Sequence, residues 1–373
     1  MDLSLHVEER TFLKRIDFNF VLVIFALNLI GLVNLYSATH SPHSMAVEGL
    51  FINQIIWLVI GWSVFFVMTF IDYQLISKLA WLIYVLNFGA LIITTFFGKV
   101  ALGAQRWIDL GFFKYQPSET MKLALIMLMA KILAPRSTEG GMGFKEMLFP
   151  ALIMLVPFGF IVEQPDLGTA MMIAAISGSM LLFVKIKRGI LVSAIFAILI
   201  AAPLAWNFVL RDYQKNRILT FMSPTNDPRG TGYNSIQSKI AVGSGKILGK
   251  GFRKGTQSQL EFLPERHTDF IFSVLSEEHG FVGSVATIGL FTMLFLVGIR
   301  IASNAREKFG ALLTFGILCY VFWHMFVNIG MVIGLLPIVG VPLPLLSYGG
   351  SSMLTTMAGL GIISSVAFRR YLF

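Results

Sequence analysis

The chain has 373 residues, of which 56% are hydrophobic and 13% charged, and its mean hydropathy is +0.76. Soluble globular proteins carry about 25% charged residues, so this composition excludes a protein that faces water on every side. The formal net charge of +9 does not indicate nucleic-acid binding, because no soluble basic domain is present to carry it, and anionic membrane lipid is the expected partner.

Apolar segments long enough to cross a membrane recur along the whole chain. A membrane-spanning helix needs about 20 apolar residues. The predicted spans are 17–37, 52–71, 78–97, 118–135, 147–163, 167–184, 189–210, 268–299, 309–335 and 345–368. The first is too long for the apolar part of a signal peptide and is interpreted as a signal anchor. The predicted fold is therefore all-α, a polytopic integral membrane protein with about ten transmembrane helices in a single domain, residues 1–373.

The distribution of Lys and Arg over the short loops predicts the orientation. The loops 38–50, 163–166 and 336–344 contain none, whereas the loops on the other side are basic. Positively charged short loops stay in the cytoplasm, so both termini are predicted to be cytoplasmic. The polar stretch 211–267, between spans seven and eight, then becomes one large extracytoplasmic loop. Its ten Lys and Arg residues escape the rule because of its length, and they suggest an anionic ligand.

Polar clusters open four of the spans, where ionisable residues are costly and are therefore functional candidates. In the first cluster Pro117 suits the first turn of a helix, which places Glu119 near the positive helix end. Lys122 follows three residues later on the same face, so the two form either part of a site or a structural ion pair. In the second cluster Asp166 follows a Gln-Pro pair and is either a site residue or a simple helix cap.

The third and fourth clusters open spans eight and ten. Thr268 is a candidate N-cap, which leaves Asp269 at the membrane boundary directly before an apolar Phe-Ile-Phe run. Prolines and glycines between 342 and 352 predict irregular backbone, which is tolerated at membrane depth where it lines a cavity in the protein. His324 and Asn328, four residues apart in span nine, are interpreted as interhelical hydrogen-bonding groups.

All four clusters are predicted to face the extracytoplasmic side, because even-numbered spans run from outside to inside. Four helix N-termini at one place favour phosphate binding. Arg106, Lys122 and the basic loop add positive charge, while Glu119, Asp166 and Asp269 could act as a base or hold a divalent ion. The pattern predicts an anionic, amphiphilic substrate in the outer leaflet.

Seven stretches of the sequence resemble the SEDS family (shape, elongation, division and sporulation proteins), and among its members the RodA type more than the division type. The matching stretches are QRWIDLG at 105–111, QPSE at 116–119, QPDLGT at 164–169, GKGF at 249–252, GTQSQL at 255–260, LPERHTDFIF at 263–272 and GVPLP with SYGGSS at 340–352. The resemblance implies a peptidoglycan glycosyltransferase of the cytoplasmic (inner) membrane that polymerises lipid II into β-1,4-linked glycan strands and releases undecaprenyl pyrophosphate.

The resemblance also implies partners and an essential residue. The partners would be a class B penicillin-binding protein, which is the transpeptidase, and the machinery of cell elongation and rod shape. Asp269 would be the catalytic residue, either as general base or as ligand of a divalent metal, Mg²⁺ or Mn²⁺. No organic cofactor is expected. The candidate substrate-binding residues are Arg106, Glu119, Lys122, Asp166, His267, Thr268, Ser347 and Ser351.

Two other functions fit the same polar residues. Charges inside the membrane and helices broken at proline also suit a transporter or flippase of lipid-linked precursors. The third possibility is a scaffold without catalytic activity that binds a penicillin-binding protein. Clustering of the acidic residues at one membrane face favours the enzyme, because a transporter site is expected near the midplane.

Overall fold

The computed structural model describes residues 15–40, 48–101, 104–109, 111, 114–136, 141–223, 231–260 and 262–370. Thirteen α-helices are found in these ranges. They are α1 Phe18–Thr39, α2 Glu48–Phe70, α3 Tyr73–Phe97, α4 Pro117–Leu133, α5 Phe144–Glu163, α6 Leu167–Phe183, α7 Arg188–Leu204, α8 Asp212–Met222, α9 Thr231–Ser244, α10 Thr256–Gln259, α11 Ile271–Ser303, α12 Lys308–Ile333 and α13 Gly350–Arg369.

Each of the ten predicted spans coincides with one helix, namely α1 to α7 and α11 to α13. Within the described ranges, eight helices are long and apolar enough to cross a membrane, and these are α1, α2, α3, α5, α7, α11, α12 and α13. Helices α4 and α6 have 17 residues each and are shorter than this. The prediction of an all-α polytopic membrane protein is confirmed, and the total of ten membrane crossings stays a prediction.

Helices α4 and α13 form the centre of the bundle. Every residue of α4 except Thr120 and Lys131 is buried, and α13 packs against α2, α4, α11 and α12. The outer helices α2, α3, α5 and α7 carry large exposed apolar side chains instead, as a lipid environment requires. Polar residues on α4 and α13 are therefore kept away from lipid by the surrounding helices.

A small antiparallel sheet between α3 and α4 was not predicted from the sequence. Its strands are β1 Lys99–Ala101, β2 Ala104–Asp109 and β3 Lys114–Tyr115, in the order β1-β2-β3. Ile108 pairs with Tyr115 and Asp109 with Lys114. The sheet fixes β2 beside α4, and β2 carries Arg106.

The stretch 211–267 contains the helices α8, α9 and α10, and α9 packs against α11 and α12. A buried carboxylate on α11 binds the second half of the stretch 211–267. Glu277 Oε1 accepts hydrogen bonds from Lys250 Nζ at 2.7 Å and from the N–H of Gln257 at 3.0 Å, at the start of α10. Lys250 and the N-terminus of α10 compensate the negative charge of the buried Glu277. These contacts hold the stretch on the bundle next to the segment that leads into α11.

Helix α1 approaches the segment before α13 so closely that only glycine fits at the contact. A Cβ atom at Gly31 would lie 2.6 Å from the carbonyl oxygen of Leu345 and 2.7 Å from Cα of Leu346. Both of these atoms belong to the backbone and cannot rotate away. The contact fixes the backbone that leads to Ser347.

We expect Gly31→Ala to lower the apparent melting temperature of the detergent-purified protein, because the added methyl group must push α1 away from residues 345 and 346. The matched control is Gly89→Ala in α3, where a Cβ atom would meet nothing within 4 Å. In a helix interior, Gly to Ala alone is favourable by about 1 kcal/mol. The control should therefore be as stable as the wild type or more so, and equal melting of both variants would contradict the close contact.

Candidate active site

The four helix starts that the sequence singles out meet around one cavity of about 760 Å³. Its wall includes the first turns of α4, α6 and α13 and the residues that lead into α11. The lining also contains the chain from Ile338 to Pro342, which precedes α13. Helix N-termini carry partial positive charge and free N–H groups, so the cavity suits a ligand with negative charge.

Seven of the nine predicted site residues line this cavity, and they are Arg106, Glu119, Lys122, Asp166, Thr268, Asp269 and Ser351. Ser347 and His267 are not part of the lining. The Ser347 hydroxyl donates to the carbonyl of Thr268 at 2.6 Å and accepts from the N–H of Leu343 at 2.8 Å, so it joins two backbone segments behind the wall. Neither residue lines the cavity in this structure, and the contact of these two residues with substrate stays a prediction.

His267 packs beside Tyr348 instead, and its imidazole lies 3.8 Å from the carboxylate of Glu265. Its carbonyl accepts a hydrogen bond from the N–H of Tyr348 at 2.9 Å. Burial, opposed by Glu265, lowers the pKa of His267 below its usual value. The residue thus connects the start of α11 with the start of α13 from outside the cavity.

Asp269 lies two residues before α11 and is held through its backbone. Asn328 of α12 donates to the Asp269 carbonyl at 2.8 Å and to the Val341 carbonyl at 2.7 Å. Among the described residues, no donor forms a hydrogen bond with the Asp269 carboxyl group. Burial and the nearby Glu265 raise the pKa of Asp269 to about 6, and Arg217 opposes this shift. A carboxylate with a pKa this close to neutrality suits a general base.

Thr268 is not the N-cap of α11, contrary to the prediction. Phe270 occupies the cap position without a side-chain hydrogen bond, and the Thr268 hydroxyl points back to Glu265, with its Oγ1 3.0 Å from Oε2 and 3.2 Å from the carbonyl. The turn between Glu265 and Phe270 closes on itself instead, through N–H bonds from Thr268 and Phe270 to the Glu265 carbonyl. This turn leaves Asp269 free to face the cavity.

Glu119 and Lys122 form an ion pair that is almost fully buried. Lys122 Nζ lies 2.7 Å from Glu119 Oε1, and 2.8 Å from His324 Nε2 on α12. The Lys122 ammonium also lies 5.3 Å from the centre of the Tyr320 ring. The interhelical hydrogen bond that the sequence suggests for His324 is therefore confirmed, and its partner is a predicted site residue.

Asp166 caps α6 and also pairs with a cation from the sheet. Its Oδ1 accepts from the N–H of Thr169 at 3.2 Å, so the interpretation as a helix cap is confirmed. Its Oδ2 lies 3.8 Å from Nε of Arg106, whose guanidinium also donates to the carbonyls of Gln164 and Pro165. The pairing holds the Arg106 guanidinium at the start of α6.

Sequence reasoning missed the cations that the stretch 211–267 contributes. Arg211 and Arg217 line the cavity, together with the uncharged Asn234. The high Lys and Arg content of the stretch suggested an anionic ligand, but nothing in the sequence indicated which of the ten cations would face it. Both arginines lie at or within α8, so the position of this helix makes that selection.

A side pocket of about 120 Å³ adjoins the cavity. The two share Arg106, Asp166 and Arg217, as well as Pro165 and Val339. The rest of the side-pocket lining is mostly apolar and includes Leu167, Met171, Ile218 and Pro337. The guanidinium groups of Arg106 and Arg217 therefore lie at the boundary between the polar cavity and the apolar side pocket. This arrangement suits an amphiphile with an anionic group next to its apolar part.

Comparison with known proteins gives the family. Residues 18–372 match the model of the FtsW/RodA/SpoVE family, described as cell cycle proteins. The chain belongs to this family. The resemblance to SEDS proteins that the sequence motifs indicated is therefore confirmed.

Two curated members of the family are similar over nearly their whole length. Identity is 38% to the peptidoglycan glycosyltransferase MrdB of Escherichia coli strain K12, over 97% of this chain and 96% of that protein. It is 31% to the peptidoglycan glycosyltransferase RodA of Treponema pallidum, over 95% of this chain and 98% of that protein.

Solved structures share the fold. One comes from work on the coordination of polymerization and crosslinking by a peptidoglycan synthase complex, with 30% identity, a TM-score of 0.81 and coverage of 96% of this chain and 99% of that chain. Another is the crystal structure of the rod shape determining protein RodA from Thermus thermophilus, with 27% identity, a TM-score of 0.71 and coverage of 95% and 98%.

We expect Asp269→Asn to raise the apparent melting temperature at pH 8. The folded state raises the pKa of Asp269 from 3.8 to about 6, so it binds this proton more tightly than the unfolded chain. The wild type therefore gains stability as pH falls through this window, and above pH 6 the buried charge is unfavourable. The advantage of the Asn variant should shrink as pH is lowered from 8 towards 4.

The measurement is thermal unfolding of wild type and variant in detergent across this pH range. Glu163→Gln, which neutralises an exposed carboxylate at the end of α5, is the control and should follow the wild-type curve. Equal melting of Asp269→Asn and wild type at pH 8 would show that the environment of Asp269 tolerates the charge.

Proposed function

We propose that the protein is a peptidoglycan glycosyltransferase that polymerises lipid II into β-1,4-linked glycan strands and releases undecaprenyl pyrophosphate, in cell elongation and rod shape. The observation that carries the proposal is Asp269, a carboxylate with a raised pKa and no hydrogen bond from the described residues, in a cavity that contains four cationic side chains and lies at four helix starts. The chain around it is 38% identical to a peptidoglycan glycosyltransferase over 97% of its length.

The shape and charge of the site support a lipid-linked pyrophosphate as substrate. Arg106 and Arg217 line both the cavity and the apolar side pocket. A pyrophosphate between these guanidinium groups would have its sugar in the cavity and the first part of its isoprenoid chain against apolar residues. Guanidinium groups suit phosphate because their N–H groups can donate in pairs.

Asp269 is the proposed general base. It takes the proton from the 4-hydroxyl group of one disaccharide while that oxygen attacks the anomeric carbon of another. The bond between the anomeric carbon and the pyrophosphate oxygen breaks, and the electron pair leaves with undecaprenyl pyrophosphate. Arg106, Arg217 and the helix N-termini stabilise the charge that develops on the leaving group. Lys122 and Glu119 belong to the same wall, with Lys122 as a further cation for the pyrophosphate.

A divalent metal ion, Mg²⁺ or Mn²⁺, is part of the proposal as a companion of the pyrophosphate. Among the described residues, no group of three His, Cys, Asp or Glu side chains could hold an ion alone. Mg²⁺ is commonly bound by one or two carboxylates and substrate phosphates, and the Asp269 carboxyl group, without a hydrogen bond, fits a single ligand of this kind. When bound, the ion would supply positive charge to the leaving group.

The sequence and the proposed substrate support a location for the site. We place the protein in the cytoplasmic membrane with both termini in the cytoplasm and the cavity on the extracytoplasmic side. The proposed partner is a class B penicillin-binding protein within the elongation machinery. The structural likeness to a component of a peptidoglycan synthase complex supports this partnership, at a TM-score of 0.81.

We expect Asp269→Asn to abolish polymerisation while the protein still inserts and binds its partner. Asn keeps the shape but cannot accept the proton, and a general base contributes a factor of about 10²–10⁴ in rate. Asp269→Glu should also be impaired, because the longer side chain displaces the carboxylate. The measurement is the chain length of the glycan formed from labelled lipid II with the partner transpeptidase present, with and without chelator.

The matched control is Asp109→Asn, the same change at an exposed carboxylate on β2 that does not line the cavity. It should polymerise at the wild-type rate. Wild-type polymer from Asp269→Asn would remove this residue from the mechanism, and full activity in chelator would remove only the metal. A wild-type protein that makes no polymer would overturn the proposed function and favour lipid transport.

The proposed orientation of the chain in the membrane predicts that Ser223 and Ser303 are accessible from opposite sides. Single cysteines at Ser223, after α8, and at Ser303, at the end of α11, are introduced in a Cys319→Ser background and treated with an impermeant thiol reagent in intact cells. Where an outer membrane is present, it is made permeable first. We expect labelling at 223 and not at 303. The reverse pattern would invert the topology, and labelling of lysed cells confirms that both cysteines react.

A further inference from the structure

His324 is a buried histidine in the cavity wall that the proposed reaction does not yet use. It lies on α12, is 1% exposed and lines the cavity together with Lys122. Its Nδ1 is 2.8 Å from the carbonyl oxygen of Tyr320, and its Nε2 is 2.8 Å from Nζ of Lys122. A carbonyl can only accept, so Nδ1 carries the proton. Nε2 is then free to accept from the ammonium, and the imidazole is neutral.

The two neighbours of Lys122 fix the direction of its ammonium group. One N–H is donated to Glu119 Oε1 at 2.7 Å and a second to His324 Nε2. An ammonium has three N–H groups in a tetrahedral arrangement, so two fixed bonds also fix the third. Among the described residues the third N–H has no acceptor, and Lys122 lines the cavity. One N–H is therefore available to a bound ligand.

The neutral state of His324 matters for the charge of this wall. Glu119 and Lys122 together have no net charge, and a second carboxylate in place of His324 would make the group negative. A negative group would repel a pyrophosphate. A neutral imidazole accepts the second hydrogen bond of the Lys122 ammonium without adding negative charge. It therefore does not weaken the attraction of Lys122 for an anion. The ring of Tyr320, 5.3 Å from the ammonium, adds a further contact that favours the positive charge.

We propose that His324 is a positioning residue that orients Lys122, so that the remaining N–H of the ammonium binds the pyrophosphate of the lipid-linked substrate and of the product. This inference rests on the proposed function and assigns a residue to the binding of its leaving group. His324 touches Lys122 and not the reacting atoms, so its effect passes through the lysine.

Substitution of His324 by Leu and by Gln separates hydrogen bonding from packing. Leu keeps an apolar volume but offers no acceptor, whereas the Gln side chain can present its amide oxygen to Lys122. We expect Leu to lower kcat/KM for lipid II by about 10- to 100-fold, because small misplacement of a binding group has effects of this size. Undecaprenyl pyrophosphate should inhibit the Leu variant more weakly than the wild type. Gln should recover most of the rate and the inhibition.

Trp323→Phe is the matched control. The neighbouring Trp323 forms an interhelical hydrogen bond from Nε1 to the Ser179 hydroxyl at 2.9 Å and does not line the cavity. Loss of this hydrogen bond tests the effect of removing an interhelical hydrogen bond from the same helix. The polymerisation rate and the inhibition by undecaprenyl pyrophosphate should both stay at the wild-type level. Rates are normalised to the folded fraction measured by size-exclusion chromatography.

Wild-type rate and inhibition in His324→Leu would overturn the proposal, as would a folded Gln variant as slow as Leu. If Leu does not fold, Gln is compared with Asn, whose side chain is one methylene group shorter and does not reach Lys122. Equal rates of Gln and Asn would then contradict the role of His324. Absence of polymerisation by the wild type would instead contradict the proposed function, so the two failures are distinguishable.

Discussion

A charge buried in a membrane protein needs a close partner, and the arrangement of the helices around the cavity depends on this requirement. Lys122, at the centre of the bundle, is matched by Glu119 within α4 and by His324 on α12. The same face of α12 continues the connections. Tyr320 lies within hydrogen-bond distance of Thr356 of α13, at 3.1 Å, and Asn328 holds the backbone of Asp269. One helix thus fixes three walls of the site relative to each other.

The helix starts distinguish three of the four carboxylates that line the cavity. Asp166 caps α6 directly, and Glu119 lies in the first turn of α4, where the helix dipole favours a negative charge. Asp269 differs from both. It precedes α11 without capping it, and its carboxyl group has no hydrogen bond within the described chain. Glu119 and Asp166 therefore have partners within the protein, whereas Asp269 has a raised pKa and no hydrogen bond to its carboxyl group among the described residues.

Much of the site was predictable because proline and acidic residues mark helix starts by local rules. Pro117 with Glu119, and Asp166 with Thr169, follow those rules, and the alternation of spans placed the starts together. The contacts that the sequence did not reveal depend on the packing of distant segments. The Ser347 hydroxyl donates to the Thr268 carbonyl, and Arg217 of α8 lines the cavity. The sheet at 99–115 was missed because its strands are short.

The central position of α13 has a consequence for biosynthesis. It follows every other described helix in the chain, yet most of its residues are buried, and its first residues complete the cavity wall. Helices are synthesised in chain order, so Lys122 and the start of α11 are made before α13, their last neighbour. A ribosome that stalls before residue 350 leaves a bundle with an open centre and polar groups facing lipid. The cavity wall is therefore complete only after α13 has been synthesised and has packed against α2, α4, α11 and α12.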